Sequence, residues 1–243
     1  MRTIERILVA LRSRPISSEG VPFDWIVTVM TWQPGRLLGH YLSPKNLRVM
    51  GRLFARMHIH GGEFVRPPGF SPHVFDAYLS RGENNLLVDN KKLSALSGDD
   101  VSLIHQTIRR VGDAYDSLDR SDIRVIHCDL WHDNIKLYRG VLYPFDFEDT
   151  ILGFRLHDIA MAMLDLLDDT SFDEFTVLFG AFREGYEELL EWPCGDIDAL
   201  MAGRILWILN YVARVEPHNL QNAMDRRRKE LSNLLESGRI VPN

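Results

Sequence analysis

The chain has 243 residues, of which 45% are hydrophobic, and carries a formal net charge of −6. This is a globular composition, and its acidic balance argues against a nucleic-acid surface, which would need a basic stripe. No apolar run approaches the ~20 residues that span a bilayer, and no secretory signal opens the chain, so a cytoplasmic protein without a membrane partner is expected. The two cysteines, Cys128 and Cys194, exclude a disulfide framework and a cysteine zinc cluster.

The elements before the centre of the chain are predicted from periodicity and turn residues. Apolar residues at helical spacing predict a helix over residues 1–14, and a strand follows at residues 25–30. Ser43 and Pro44 are typical of a helix N-cap and first turn, so a helix begins there. Residues 61–100 are predicted to form an irregular or partly helical insertion.

The later part of the chain is predicted to be almost entirely helical, apart from a strand and a hairpin in the middle. Residues 124–126 form a short segment with the β-branched residues Val125 and Ile126 and predict a buried strand. Two apolar segments flank Arg139-Gly140, which is a hairpin signature because Gly supplies a positive φ. The predicted helices cover residues 104–118, 157–168, 172–190, 196–215 and 218–236.

Three side chains around this hairpin have the types and spacing of a phosphoryl-transfer site. Asp129 follows the strand, Asn134 opens the hairpin, and Asp146 follows its return strand. A hairpin that leaves at Asn134 and returns at Asp146 brings both side chains to one end, where their oxygens suit Mg²⁺. Asp129 is then the candidate base that orients an attacking hydroxyl, and His127 is expected to support the loop backbone by a hydrogen bond.

Each residue taken alone has an ordinary interpretation, since Asp and Asn are common in loops. The combination of strand, HxD, Asn, hairpin and Asp-Phe within about two dozen residues is far more specific. A competing interpretation is a metallohydrolase whose ligands would be His127, Asp129, His132 and Asp133. That site needs more histidines than the local sequence offers.

Two segments resemble a known family: residues 127–134 read HCDLWHDN, and residues 144–160 read PFDFEDTILGFRLHDIA. They are similar to the Brenner-type motif and the metal-ligand segment of the aminoglycoside phosphotransferase and choline kinase superfamily, distant relatives of protein kinases. The resemblance implies ATP and Mg²⁺ as cofactors, with Asp129 as catalytic base and Asn134 and Asp146 as metal ligands. It also implies that Asp158 opens a helix that buttresses the site. The family often has Gly where this chain has Cys128.

The resemblance also implies a fold and a domain organisation. The expected class is α+β and mostly helical, the C-terminal lobe of a protein-kinase-like fold with a small catalytic β-hairpin. Residues 1–35 would be a remnant of the N-lobe (helix, strand and hinge), in which Thr31 and Gln33 contact adenine. Residues 36–243 would form the helical C-lobe with the catalytic loop and Mg-binding segment. No lysine precedes Lys45, so the strand lysine and Gly-rich loop of the family are expected to be absent and the N-lobe truncated.

The leading hypothesis is therefore a phosphotransferase that moves the ATP γ-phosphate to a hydroxyl of a small molecule. The alternative is a catalytically impaired truncated kinase or pseudokinase that acts as a binding or regulatory module. The acceptor is not identified by the sequence. An acidic cluster at the end of the helix after the metal segment could attract an amine, although a solvated helix end is the favoured interpretation. Its members are Asp165, Asp168, Asp169, Asp173 and Glu174.

Overall fold

The computed structural model describes residues 32–69 and 73–241 and divides the chain into two compact units, residues 1–35 and 36–243. The helix predicted over residues 1–14, the strand at 25–30 and the hinge residue Thr31 lie outside the described residues. In the first unit, the Gln33 side-chain amide donates a hydrogen bond to the Pro34 carbonyl at 3.5 Å. The assignment of residues 1–35 to an N-lobe remnant, with Gln33 in its hinge, stays a prediction.

The second unit contains two small three-stranded sheets. In the first sheet, β4 lies between β1 and β5 and pairs antiparallel with both. In the second, β6 lies in the centre, parallel to β2 and antiparallel to β3. The strands are β1 (Arg36–Leu37), β2 (Val74–Phe75), β3 (Arg124–Ile126), β4 (Ile135–Tyr138), β5 (Val141–Pro144) and β6 (Ile151–Gly153).

Six helices in the described ranges form the bulk of the second unit and enclose one large apolar core. They are α1 (Pro44–Gly62), α2 (Gly98–Asp116), α3 (Arg155–Asp168), α4 (Phe172–Glu187), α5 (Ile197–Val215) and α6 (Leu220–Ser237). The predicted α+β, mostly helical class is confirmed. The predicted cap is also present, because the Ser43 hydroxyl accepts the Asn46 N–H at 3.3 Å. In the described part of the chain, no helix is both long enough and apolar enough to cross a membrane.

Helices α1 and α4 approach so closely that their backbones touch. A Cβ added to Gly51 would lie 1.9 Å from the Phe182 carbonyl oxygen, and one added to Gly185 would lie 1.9 Å from the Arg48 carbonyl oxygen. Side chains larger than hydrogen do not fit at either position. This close contact fixes the relative position of two helices that both carry side chains reaching toward the centre of the unit.

The hairpin predicted around Arg139-Gly140 is confirmed. Strands β4 and β5 pair from Ile135 opposite Pro144 to Tyr138 opposite Val141. Arg139 and Gly140 have φ values of 51° and 77°, the positive pair that a type I′ turn requires. The register therefore returns the chain to the level of Asn134.

Residues 61–100 contain a strand that the sequence did not indicate. Strand β2 has only two residues, too few for a period-two pattern, and its parallel partner β6 lies more than 70 residues further along the chain. Because such pairing depends on distant segments, local periodicity carries no signal for it. Strand β6 was missed for the same reason.

Candidate active site

Strand β3 ends at the loop that carries the candidate catalytic residues, and this loop begins with an unusual backbone. Cys128 has φ 65°, the left-handed region that Gly adopts readily and other residues rarely. Its N–H donates to the Asp158 Oδ1 atom at 2.6 Å. Asp158 lies in the first turn of α3 and is buried. It therefore holds the loop at the point where the chain turns.

A buried polar chain supports Asp158 from the other side. His58 of α1 shares a hydrogen bond with Asp158 Oδ2 at 3.0 Å through Nε2 and with the Tyr186 hydroxyl at 2.9 Å through Nδ1. Arg155 donates to the same hydroxyl at 3.3 Å. Burial alone would raise the pKa of Asp158, but the hydrogen bond and charge interaction with His58, together with the Cys128 N–H, lower it. Asp158 is thus ionised, and each of its two carboxylate oxygens has a hydrogen-bond partner.

Asp129 and Asn134 are joined directly. The Asn134 side-chain N–H₂ donates to both the Asp129 carbonyl oxygen and its Oδ2 atom, each at 2.8 Å. Burial raises the pKa of Asp129 and nearby Asp149 adds to the increase, whereas Arg204 and the Asn134 hydrogen bond oppose it. Asp129 is only partly buried, so one face of its carboxylate remains accessible. A carboxylate held in this way can orient a hydroxyl and take its proton.

His127 links the loop to the segment that contains Asp146. Its Nε2–H donates to the Phe145 carbonyl oxygen at 3.0 Å, and the Phe145 N–H donates to the Asn134 carbonyl at 3.0 Å. Asp146 comes next and is exposed, with φ 63°. Two hydrogen bonds thus hold the backbone before Asp146 against both ends of the loop.

The residues present fit a hard divalent cation. With its amide nitrogen bonded to Asp129, Asn134 keeps its side-chain oxygen as a possible ligand, and the exposed Asp146 carboxylate supplies a second oxygen. Mg²⁺ commonly takes one or two protein oxygens and completes its octahedron with water and phosphate. Within the described residues, no group of three or more His, Cys, Asp or Glu side chains could hold a metal.

In the competing metallohydrolase interpretation, His127 and His132 are metal ligands, but each ring already uses its Nε2 atom in a hydrogen bond to another group. His132 is buried, and its Nε2 atom shares a hydrogen bond with Asp169 Oδ2 at 2.9 Å. His127 Nε2 is used by Phe145. The remaining Nδ1 atom of each ring is buried without a partner in the described part of the chain. Within the described residues, however, neither ring belongs to a group of three or more His, Cys, Asp or Glu side chains that could hold a metal.

A cavity of about 380 Å³ opens beside Asp129. Its wall includes the apolar side chains Phe75, Tyr78, Met161 and Trp207 and the charged side chains Arg81, Asp149 and Arg204. The sequence singled out Asp129 and Cys128 in this wall but not Tyr78, Arg81, Arg204 and Trp207. Arg81 and Tyr78 lie in the segment predicted as irregular, and Arg204 and Trp207 stand in a helix whose periodicity indicates only core packing. No motif signals them, because they meet only in the folded chain.

The acidic cluster at the end of α3 does not behave as one group. Asp168 pairs with Arg227 and Asp169 with His132, while Asp173 and Glu174 are exposed. Asp165 differs, since burial raises its pKa to about 7. The interpretation of a solvated helix end fits Asp173 and Glu174 but not Asp165, which is partly buried and interacts with the charges of Asp129 and Arg204.

The chain is similar to a known protein family over most of its length. Residues 14–194 match the model of the phosphotransferase enzyme family, APH. No similar sequence was found among curated proteins.

Solved structures share the fold. An amicoumacin kinase, solved with AMP-PNP and Ca²⁺, aligns with a TM-score of 0.64 at 16% identity, over 88% of this chain and 65% of its own. An aminopropanol kinase associated with a microcompartment gives 0.60 at 18% identity, over 95% and 74%. Choline kinase from Cryptosporidium parvum gives 0.58 at 12% identity, over 99% and 79%. This chain therefore spans less than two thirds of the amicoumacin kinase. At these identities the likeness concerns the fold, and the expected kinase-like fold is confirmed.

Proposed function

The chain belongs to the phosphotransferase enzyme family, and we propose that it transfers the γ-phosphate of ATP to a hydroxyl of a small molecule. The observation that carries the proposal is the double hydrogen bond from Asn134 to Asp129 at 2.8 Å. It joins a candidate base and a candidate metal ligand in one rigid unit. Phosphoryl transfer depends mainly on such positioning and on neutralising phosphate charge.

Each residue has a role that its contacts support. Asp129 lies at the wall of the cavity, where it would accept the proton of the acceptor hydroxyl. His127 holds the Phe145 carbonyl and thereby the backbone before Asp146. Asp158 holds the Cys128 N–H, which sets the turn from which Asp129 projects. His127 and Asp158 are therefore positioning residues.

Asn134 and Asp146 would hold Mg²⁺ through their side-chain oxygens. The ion, when bound, supplies positive charge that neutralises the phosphate oxygens of ATP. Because Asn134 also bonds Asp129, loss of its side chain would disturb both the base and the metal ligand. Loss of the Asp146 carboxylate would disturb the metal alone.

The proposal is tested with Asp129→Asn, which keeps the shape of the side chain but removes the base. The kcat for phosphate transfer is expected to fall about 10²–10⁴-fold. Transfer from labelled ATP is measured over a panel of hydroxyl compounds that includes aminopropanol, choline and simple sugars. Asp133→Asn is the matched control, since this carboxylate lies in the same loop without a proposed role, and its kcat should remain unchanged. Equal activity of Asp129→Asn and wild type would contradict the assigned base.

The metal ligands are tested by a measurement that does not depend on turnover. Mn²⁺ binding, followed by electron paramagnetic resonance in the presence of AMP-PNP, should weaken at least about tenfold in Asp146→Asn, because a charge-assisted contact is lost. Calorimetry with Mg-ATP, together with the transfer assay, distinguishes an active phosphotransferase from a pseudokinase that acts as a binding module. A chain that binds Mg-ATP but transfers no phosphate to any acceptor would support the pseudokinase alternative.

A further inference from the structure

We propose that the acceptor is a hydroxylated carboxylic acid and that Arg204 binds its carboxylate in the cavity beside Asp129. The inference rests on the proposed function, and it names the substrate class of the same site. It comes from the guanidinium of Arg204, whose surroundings differ from those of the other arginine in the cavity wall.

The two arginines of the cavity differ in their partners. Arg81 forms an ion pair with the Asp149 carboxylate and also donates to the Asp149 carbonyl at 2.9 Å. Arg204 donates no hydrogen bond to any residue that the structure describes, and its Nε atom is buried. A buried charged donor without an acceptor is costly, so this position calls for an oxygen from outside the chain.

Arg204 is nevertheless held in place. Its guanidinium lies over the Trp207 ring at 4.4 Å from the ring centroid, a cation–π contact. The Trp207 indole N–H donates to Glu83 Oε1 at 3.2 Å, and the other Glu83 oxygen accepts the backbone N–H of Arg81 at 2.7 Å. The guanidinium thus rests on a fixed aromatic platform. A planar, preorganised fork of this kind matches the geometry of a carboxylate.

The charges near Arg204 leave room for an anion. The carboxyls of Asp129 and Asp165 interact with Arg204 through space, without a hydrogen bond. Burial raises the pKa of Asp165 to about 7, so its negative charge is reduced at neutral pH. A cationic acceptor would meet Arg204 at close range and be repelled.

The size of the cavity suits a compound of up to about a sugar acid. Its volume of about 380 Å³ is at the lower end of the range for ligand sites. The wall also includes the apolar side chains of Phe75, Tyr78 and Met161, which would contact the carbon skeleton. A hydroxyl of the same molecule would then face Asp129 while its carboxylate faces Arg204.

The experiment measures equilibrium binding by calorimetry to the full chain, without nucleotide, for two matched series of probes. The six-carbon series is glucuronate, glucose and glucosamine. The three-carbon series is glycerate, glycerol and 1-amino-2,3-propanediol. Within at least one series the acid is expected to bind at least about tenfold more tightly than the neutral compound, and the amine most weakly.

Variants assign that preference to Arg204. Arg204→Gln should weaken acid binding about 10- to 100-fold and leave the neutral compound within about threefold, because only the charge-assisted contact is lost. Arg204→Lys keeps the positive charge but loses the parallel N–H donors of the guanidinium. Its affinity for the acid should therefore lie between those of Arg204→Gln and wild type. Arg214→Gln is the matched control. Arg214 lies on the same helix over the Tyr211 ring at 5.4 Å, outside the cavity, so its loss should have no effect.

The outcomes are distinguishable. Tightest binding of the amines, failure of both acids to bind at 50 mM, or an unchanged acid preference in Arg204→Gln and Arg204→Lys would overturn the inference. If Arg204→Gln does not fold, Trp207→Phe replaces it, since this variant keeps a ring but frees Glu83 and should reduce the acid preference. Acid binding without phosphate transfer would contradict the proposed function alone, whereas transfer to amines in preference to acids would contradict this inference alone.

Discussion

The loop around Asp129 and the pair of helices α1 and α4 are held in place by different forces. The loop depends on individual hydrogen bonds, such as the one from the Cys128 N–H to Asp158 at 2.6 Å. The helix pair depends on backbone contact at Gly51 and Gly185. The two regions are nevertheless connected, because His58 of α1 and Tyr186 of α4 form the polar chain that supports Asp158. The close packing of α1 and α4 therefore fixes His58 and Tyr186, and these side chains in turn hold Asp158 and the loop.

The largest expected effect comes from breaking the polar chain. Asp158→Ala removes the acceptor of both Cys128 and His58 in a fully buried site. Removing one partner of such a pair typically costs about 3–5 kcal/mol of unfolding free energy. Urea denaturation measures it, with Asp173→Ala, an exposed acid at the start of α4, as control. A loss below about 1 kcal/mol would mean that the loop does not depend on this brace.

A second prediction concerns the partly buried carboxyl of Asp165 and has a defined pH dependence. Its folded pKa of about 7 lies above the ordinary value of 3.8, so the folded state binds the proton more tightly than the unfolded state. Stability from this group is therefore present at low pH and is lost as pH rises from about 4 to about 7. Asp165→Asn removes that loss.

The measurement is the free energy of unfolding of Asp165→Asn and of wild type, obtained by urea denaturation between pH 4 and pH 8. The variant should gain on wild type by at most about 1.4 kcal/mol per pH unit up to about pH 7, and then remain level. Asp173→Asn, which alters an exposed carboxyl, serves as the control with a flat difference. A stability difference between the two proteins that stays flat from pH 4 to pH 7 would show that the Asp165 pKa is not raised.

The helix pair is tested with two glycines of the same helix. Gly185→Ala places a Cβ against the Arg48 carbonyl and should cost about 1–3 kcal/mol or more by overpacking. Gly180→Ala introduces the same methyl group into open space and should stabilise the protein by about 0.5–1 kcal/mol through helix propensity. Chemical denaturation of both variants measures the change in unfolding free energy, which should be a loss for Gly185→Ala and a gain for Gly180→Ala. If Gly185→Ala stabilised the protein as Gly180→Ala does, the α1–α4 contact would not be close.

The smallest effect isolates the backbone of Cys128. Cys128→Gly and Cys128→Ala both remove the thiol, but only Gly relieves the positive φ of 65°. The Gly variant should therefore be more stable than the Ala variant by about 1 kcal/mol. At Gly112, a helical position with open space, Gly and Ala should have the opposite order of stability. An Ala variant at position 128 that is as stable as the Gly variant would mean that this backbone is not strained.

Much of the fold and of the proposed site could be predicted because the signals are local. The hairpin at Arg139-Gly140, the cap at Ser43 and the helices after residue 155 follow from turn chemistry and periodicity over a few residues. Strands β2 and β6 could not be predicted, since two or three residues carry no period and their partners are distant. The substitution of Cys128 for the family's usual Gly was visible, but its positive φ was not.

By itself, the sequence determined which residues form the candidate catalytic loop, because Asp129, Asn134 and Asp146 lie within 18 positions on one strand, turn and hairpin. Only the tertiary structure decided what surrounds them. His58, Asp158 and Tyr186 come from three separate helices, and Arg81, Arg204 and Trp207 meet at one cavity from two distant segments. Periodicity reports that a helix face is buried, but not which distant face packs against it, so these contacts appear only when the chain is folded.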